Sequence, residues 1–300
     1  MHVQWEEFAL TGCADELEAR RRGERFAHVL EAYQNRGGRV VLTIHNEEPH
    51  SGVFIDTFMM LRRAVGRLAD LVLVHDAHAA ELMRRQIGDA ARIAILPHPS
   101  SLDVYESAAT LTAALPAAPS RTLLGFGAMR AQKGFADMIN HLPPEFLAER
   151  GARLRFSGVG DVAASLAECH GDRTDIDFDI RYVPDDEVPA LLRGSAAVVL
   201  PYKRMLTSGV ALLTMSCGGV IVAPDLPPMR LLLPEVGHNL LFRPDDADDF
   251  RRAADAALTL SQDARRLLIA EGLDIARAHH PRIVSARLST HYDILLSRKV

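Results

Sequence analysis

Lysine is scarce in this sequence: of 34 basic side chains, all but Lys133, Lys203 and Lys299 are arginine. A chain this biased keeps a lysine where a compact point charge suits the position better than a planar fork. Cysteine is sparse too. Cys13, Cys169 and Cys217 are widely spaced and odd in number, with no CxxC or zinc spacing. That pattern excludes a disulfide framework and fits free thiols in a reducing cytosol. Long apolar runs are missing, since nothing approaches the roughly 18–20 residues of a membrane span. The opening residues 1–7 (MHVQWEE) lack the basic start and apolar core of a secretory signal. Positive charge is not in excess either. The formal net charge is −5, which gives no general pull toward nucleic acid, and no nucleic-acid partner is expected.

What is present is globular. The 300 residues are 48% apolar and 24% charged, enough for about two ordinary domains. Short β-branched runs at 39–44, 71–74, 92–96, 122–126, 153–156, 196–200 and 220–222 read as buried strands. Helical patterns lie between them, near 14–35, 54–69, 76–87, 185–193, 209–217, 246–258 and 261–278. Apolar strands separated by amphipathic helices indicate parallel sheets covered on both faces. The small, proline-containing stretch 112–120 (TAALPAAPS) suits an interdomain linker. The expected fold class is therefore α/β, with two doubly wound Rossmann-like domains at 1–115 and 121–275. A last helix follows near 283–298.

In open α/β sheets, ligands gather outside the carboxyl ends of the strands. The segments after each strand therefore hold the candidate site. One is Thr207-Ser208-Gly209, a small turn opening an apolar helix. Such a turn presents free backbone amides and the positive end of the helix dipole, both suited to a phosphate or diphosphate. The plainer alternative is that Thr207 or Ser208 is an ordinary helix cap. A second is Gly127-x-x-Arg130-x-x-Lys133-Gly134, with two cations at a sheet mouth beside a helix start. Cations there oppose the helix dipole unless an anion sits between them, although a solvated basic loop would look the same. His45 follows a strand directly and is placed to meet a sugar hydroxyl or move a proton; a structural histidine is the competing view. His50 and His98 are weaker candidates of the same kind. No HxH or HxxxH pair or carboxylate cluster accompanies them, so no metal is expected. The acidic run 184–187 (PDDE) is expected to cap a helix from 185. Arg20, Arg21, Arg22 and Arg25 form a basic patch that could touch anionic lipid or simply be solvated.

The order of these motifs resembles the GT-B glycosyltransferases of family 4. Residues 43–50 (TIHNEEPH) are similar to that family's strand-end histidine segment. Residues 122–139 (TLLGFGAMRAQKGFADMI) resemble its donor-phosphate segment. The stretch 181–225, with its PY…TSG turn, is similar to a bacterial branch of the family. The resemblance implies a metal-independent hexosyltransferase without a cofactor, using a nucleoside-diphosphate hexose (UDP or GDP) as co-substrate. It implies that Arg130 and Lys133 neutralise the leaving diphosphate and that His45 meets the transferred sugar. It further implies donor binding by Gly127, Tyr182, Val183, Thr207, Ser208 and Gly209. Asn46, His50 and His98 would face a glycan or lipid-linked acceptor. The final helix would cross back toward the first domain.

Two departures stand against the resemblance. The family's usual pair of glutamates would fall at Met205 and Leu213, which leaves the stereochemical outcome open. The first domain is shorter than expected, as though trimmed, so a second chain covering its sheet edge is an expectation. A cytoplasmic location with peripheral membrane contact completes the reading. Its alternatives are a non-catalytic partner subunit of the same fold and a sugar-nucleotide epimerase.

Overall fold

The computed structural model describes residues 1–49, 52–107, 110–111 and 120–297. His50 and most of the expected linker, 112–119, lie outside the described residues. The chain divides into two compact units. The first comprises Met1–His98, Met205–Thr207 and Arg282–Val300, and the second Pro99–Arg204 and Ser208–Pro281. The division falls at His98, not near residue 115, for a physical reason. The Ser100 amide donates to the His279 carbonyl at 2.8 Å and its hydroxyl to the Ala276 carbonyl at 2.8 Å. Leu102 and Leu111 are buried in the second unit's core.

The first unit runs β1 (His2–Val3), α1 (Glu16–Gln34), β2 (Val41–Thr43), α2 (Ile55–Leu68), β3 (Leu71–Val74), α3 (Ala77–Ile87) and β4 (Ile93–Ile95). Its four strands are parallel in the order β1-β2-β3-β4. Asp15 starts α1 by accepting the Glu18 amide at 2.8 Å, and Asp76 starts α3 by accepting the Ala79 amide at 2.7 Å. Each satisfies a donor that the helix itself leaves unpaired. Alternate strand residues face opposite ways. Leu42, Val72 and Val74 pack with Phe58, Leu61, Val65 and Met83 in one cluster, while Val41, Leu71 and Leu73 pack in another.

The second unit runs β5 (Thr122–Phe126), α4 (Phe135–His141), α5 (Pro144–Glu149), β6 (Arg153–Ser157), α6 (Ala163–His170), β7 (Ile176–Asp179), α7 (Val188–Gly194) and β8 (Ala197–Val199). It continues with α8 (Gly209–Ser216), β9 (Ile221–Pro224), α9 (Pro227–Leu232), β10 (Leu241–Phe242), α10 (Ala247–Leu258) and α11 (Gln262–Ala278). Six parallel strands form one sheet in the order β10-β9-β8-β5-β6-β7. The final helix α12 (Pro281–Ser297) belongs to the first unit, where Val284 and Leu295 cover Val41, Leu71 and Leu73.

Two sequence expectations change. Strand β7 was not anticipated, because Asp177 and Asp179 interrupt its apolar pattern; both carboxylates are paired with Arg155. Helix α7 begins at Val188 instead of 185, and the acidic run does not cap it. The Glu187 carboxylate pairs with Arg181, and Asp185 accepts the Tyr182 hydroxyl at 3.1 Å.

Candidate functional site

In the second unit the strand order reverses between β5 and β8, which are neighbours through Leu123↔Ala197 and Leu124↔Val198. Such a switch point opens a crevice beyond the carboxyl ends of the two strands. The loop after β5 holds Gly127, Arg130 and Lys133. The loop after β8 holds Tyr202 and leads to Ser208. The two loops are in close contact. Gly134, at φ +70°, has no room for a side chain, since a Cβ there would lie 2.1 Å from the Pro201 carbonyl oxygen. Gly127 (φ +97°) approaches the start of α8, where a Cβ would lie 3.8 Å from Val210.

Arg130 and Lys133 are half-buried on this loop. The Lys133 ammonium lies 5.4 Å from the centre of the Tyr202 ring. Burial first, and the nearby charge of Arg130 second, lower the Lys133 pKa from its ordinary value. Among the described residues neither cation forms an ion pair with a carboxylate. Lys203, by contrast, is neutralised by Asp137 at 3.1 Å and Asp245 at 3.4 Å. Two adjacent, partly desolvated positive charges with no acid between them are costly to hold unless an anion completes the set.

Ser208 is the helix cap that the plainer sequence reading allowed. Its buried hydroxyl accepts the Ala211 amide at 3.0 Å. The Tyr202 hydroxyl is hydrogen-bonded to Ser208, and burial holds its pKa far above the ordinary tyrosine value. Tyr202 thus joins the two loops, with its ring under the ammonium and its hydroxyl on the cap. With the cap satisfied this way, Gly209 is exposed as the first residue of α8, and the Gly209 and Val210 amides have no acceptor within the helix. Thr207 belongs to the first unit. Val183 is buried at 7% exposure, and Tyr182 is 71% exposed.

In the first unit His45 follows β2, with Asn46 beside it; both are half-buried. Trp5 stacks on His45 with ring centres 4.3 Å apart. His75, directly after β3, lies between His45 and His98, with ring centres 5.0 Å and 5.2 Å away. The sequence reading passed over His75 and Tyr202. The available signal was position: a histidine, and a Pro-Tyr pair, immediately after a buried strand. The loop after β2 is fixed by Arg62. It donates to the Glu47 carbonyl at 2.7 Å and pairs with the buried Glu6 carboxylate at 2.7 Å. Among the described residues no group of three or more histidine, cysteine or acidic side chains could hold a metal ion.

Residues 120–260, essentially the second unit's sheet and helices, match the family described as Glycosyl transferases group 1. No curated protein sequence matches the chain. Several solved structures share its fold. Sucrose-phosphate synthase from Thermosynechococcus elongatus is 17% identical with a TM-score of 0.73, over 99% of this chain and 73% of that one. A UDP-forming trehalose-phosphate synthase from Burkholderia xenovorans, solved with glucose-6-phosphate, is 16% identical with a TM-score of 0.72. That match spans 90% of this chain and 72% of the synthase. The pneumococcal O-GlcNAc transferase GtfA, solved with UDP and GlcNAc, is 13% identical with a TM-score of 0.68. It is matched over 90% of this chain and 55% of its own length. Residues 120–260 thus match the group 1 glycosyl transferase family, and the chain shares the GT-B fold of these synthases and transferases.

Proposed function

We propose that the chain transfers a hexosyl group from a nucleoside-diphosphate sugar to a glycan or lipid-linked acceptor. The observation that carries this reading is the Arg130–Lys133 pair, half-buried and without an acid partner among the described residues, beside the capped start of α8. Breaking the bond between sugar and diphosphate leaves negative charge on the departing phosphate. The two cations and the Gly209 and Val210 amides are fixed where that charge would grow, so they need no reorganisation during the reaction. His45 would hydrogen-bond the transferred sugar, and Gly127 would let the diphosphate approach the backbone. Tyr182, Val183, Thr207 and Ser208 complete the donor side, and Asn46, His50 and His98 the acceptor side. UDP is favoured over GDP by the fold relatives that are named as UDP-forming or were solved with UDP.

The reading extends to a cytoplasmic chain in peripheral contact with a membrane through Arg20, Arg21, Arg22 and Arg25, which are exposed on α1. It also extends to a second chain along the edge strand β1. Among the described residues no helix is long and apolar enough to cross a membrane. One observation favours a second reading, a non-catalytic subunit that binds the donor without turning it over. Met205 and Leu213 stand where the resembled family has carboxylates.

Thermal shift and calorimetry with UDP, GDP and the other nucleoside diphosphates test the reading. Stabilisation by UDP or GDP that is lost in Lys133→Ala supports it, and a wild-type protein indifferent to every diphosphate overturns it. Transfer of a labelled hexose to acceptor extracts then separates an enzyme from a binding subunit.

A further inference from the structure

The carboxyl ends of the first unit's strands are joined by a row of side-chain hydrogen bonds. Tyr292 on α12 and Thr43 hold His2, with contacts of 2.5 Å and 2.7 Å. The Gln4 amide nitrogen lies 3.2 Å from Nε2 of His2, and the Gln4 amide oxygen lies 2.9 Å from Nε2 of His45. Nδ1 of His45 lies 3.1 Å from Nε2 of His75, whose own Nδ1 lies 3.0 Å from the Leu96 carbonyl oxygen.

We infer from this row that His75 is the positioning residue that sets the tautomer of His45. A carbonyl can only accept, so Nδ1 of His75 bears the proton. A neutral imidazole protonated there has its lone pair on Nε2. That lone pair faces Nδ1 of His45, which must therefore be the donor. The proton of neutral His45 is fixed on Nδ1, and its Nε2 is left as an acceptor. Trp5 stacks on the same ring at an interplanar angle of 20° and holds its plane, while His98 backs His75 edge-on. The Gln4 oxygen now facing Nε2 of His45 suits an imidazolium; for the neutral Nδ1-protonated ring the carboxamide, whose O and N ends exchange by a half-turn, offers its amide to the lone pair instead. The chemical consequence is specific: Nε2 of His45 accepts a hydrogen bond from a hydroxyl group. That consequence rests on the proposal that His45 faces the transferred sugar; the tautomer itself does not.

The test is ¹⁵N NMR of the imidazole rings in the full chain, about two pH units above the ordinary histidine pKa so that the rings are neutral. The wild type is expected to carry the His45 proton on Nδ1. His75→Phe keeps a ring against His98 but offers no lone pair, and His45 should move to the Nε2-protonated form favoured by free imidazole. His75→Gln can donate to Leu96 and accept from His45, and should restore the wild-type tautomer. A wild-type His45 protonated on Nε2, or an unchanged tautomer in His75→Phe, overturns the inference; the wild-type spectrum decides even if a variant fails to fold. Turnover of the sugar nucleotide found active with the wild type is the second readout. His75→Phe should lower kcat on the order of tenfold with little change in donor KM, less than the loss of a general acid or base outright, and His75→Gln should recover most of it. A switched tautomer with undiminished kcat would remove His45 from the sugar while leaving the assignment of His75 intact.

Discussion

Beyond β2, β3 and β4 the first unit sets three imidazoles in a row, each ring centre within 5.2 Å of the next, with an indole at one end. Beyond β5 and β8 the second unit sets a guanidinium, an ammonium and the start of a helix. Both are strand-end rims of parallel sheets, yet they differ in what holds them. The imidazoles satisfy one another and nearby polar groups, so the first rim carries little obligatory charge and suits an uncharged, hydroxyl-rich ligand. Arg130 and Lys133 have no carboxylate among the described residues to satisfy them, so the second rim suits an anion. Where a lysine of this chain only has to be soluble, as at Lys203, acids surround it. The contrast between Lys133 and Lys203 is what most supports the proposal that the second rim receives an anion.

The comparison can be broken at either rim. The largest effect is expected at the frame of the first. Arg62→Met leaves the Glu6 carboxylate buried and alone and frees the Glu47 carbonyl, at a cost of about 3–5 kcal/mol in urea denaturation. A loss below about 1 kcal/mol would mean that this rim stands on a soft frame. At the second rim, Lys133→Ala should remove about 2–4 kcal/mol of transition-state stabilisation, read as kcat/KM for donor transfer. An undiminished kcat/KM would erase the contrast with the first rim. Ser208→Ala loses the cap of α8 and the partner of Tyr202, and should cost about 1 kcal/mol of stability by thermal denaturation.

The sign of the pH effect follows from the lowered pKa of Lys133. A bound anion favours the charged ammonium and raises that pKa. Diphosphate affinity should therefore fall as pH rises through the lowered value, which lies beneath the ordinary lysine 10.5. Calorimetry through that value should show the slope in the wild type and a flat response in Lys133→Ala. The smallest effect belongs to the control. Lys203→Ala removes exposed ion pairs and should change stability and transfer by no more than about 0.5 kcal/mol.

Much of the fold could be read in advance because strands such as Val72–Val74 and Ala197–Val199 are buried on both faces and therefore apolar throughout. Strand β7 escaped because its two carboxylates are held by Arg155 of the neighbouring strand β6, a pairing that a local pattern cannot show. The division at His98 escaped for the same reason, since Ser100 is tied to carbonyls about 180 residues further on. In the second rim, the placement of Arg130, Lys133 and Ser208 beyond the strand ends was legible because their spacing after a strand is itself the signal. Tyr202 and His75 were not, because each acts by bridging groups that only the sheet order brings together. Tyr182 is exposed with its hydroxyl on Asp185, a placement that its sequence neighbours do not announce.

The backbone of the β8 loop occupies the space where any side chain at residue 134 would begin. A saturation library at that codon should return glycine almost alone, whatever the selection. Evolution of donor preference in this scaffold would then have to proceed by exchanging neighbouring side chains, because the two arms of the crevice are keyed together like adjoining stones and cannot be re-spaced one at a time.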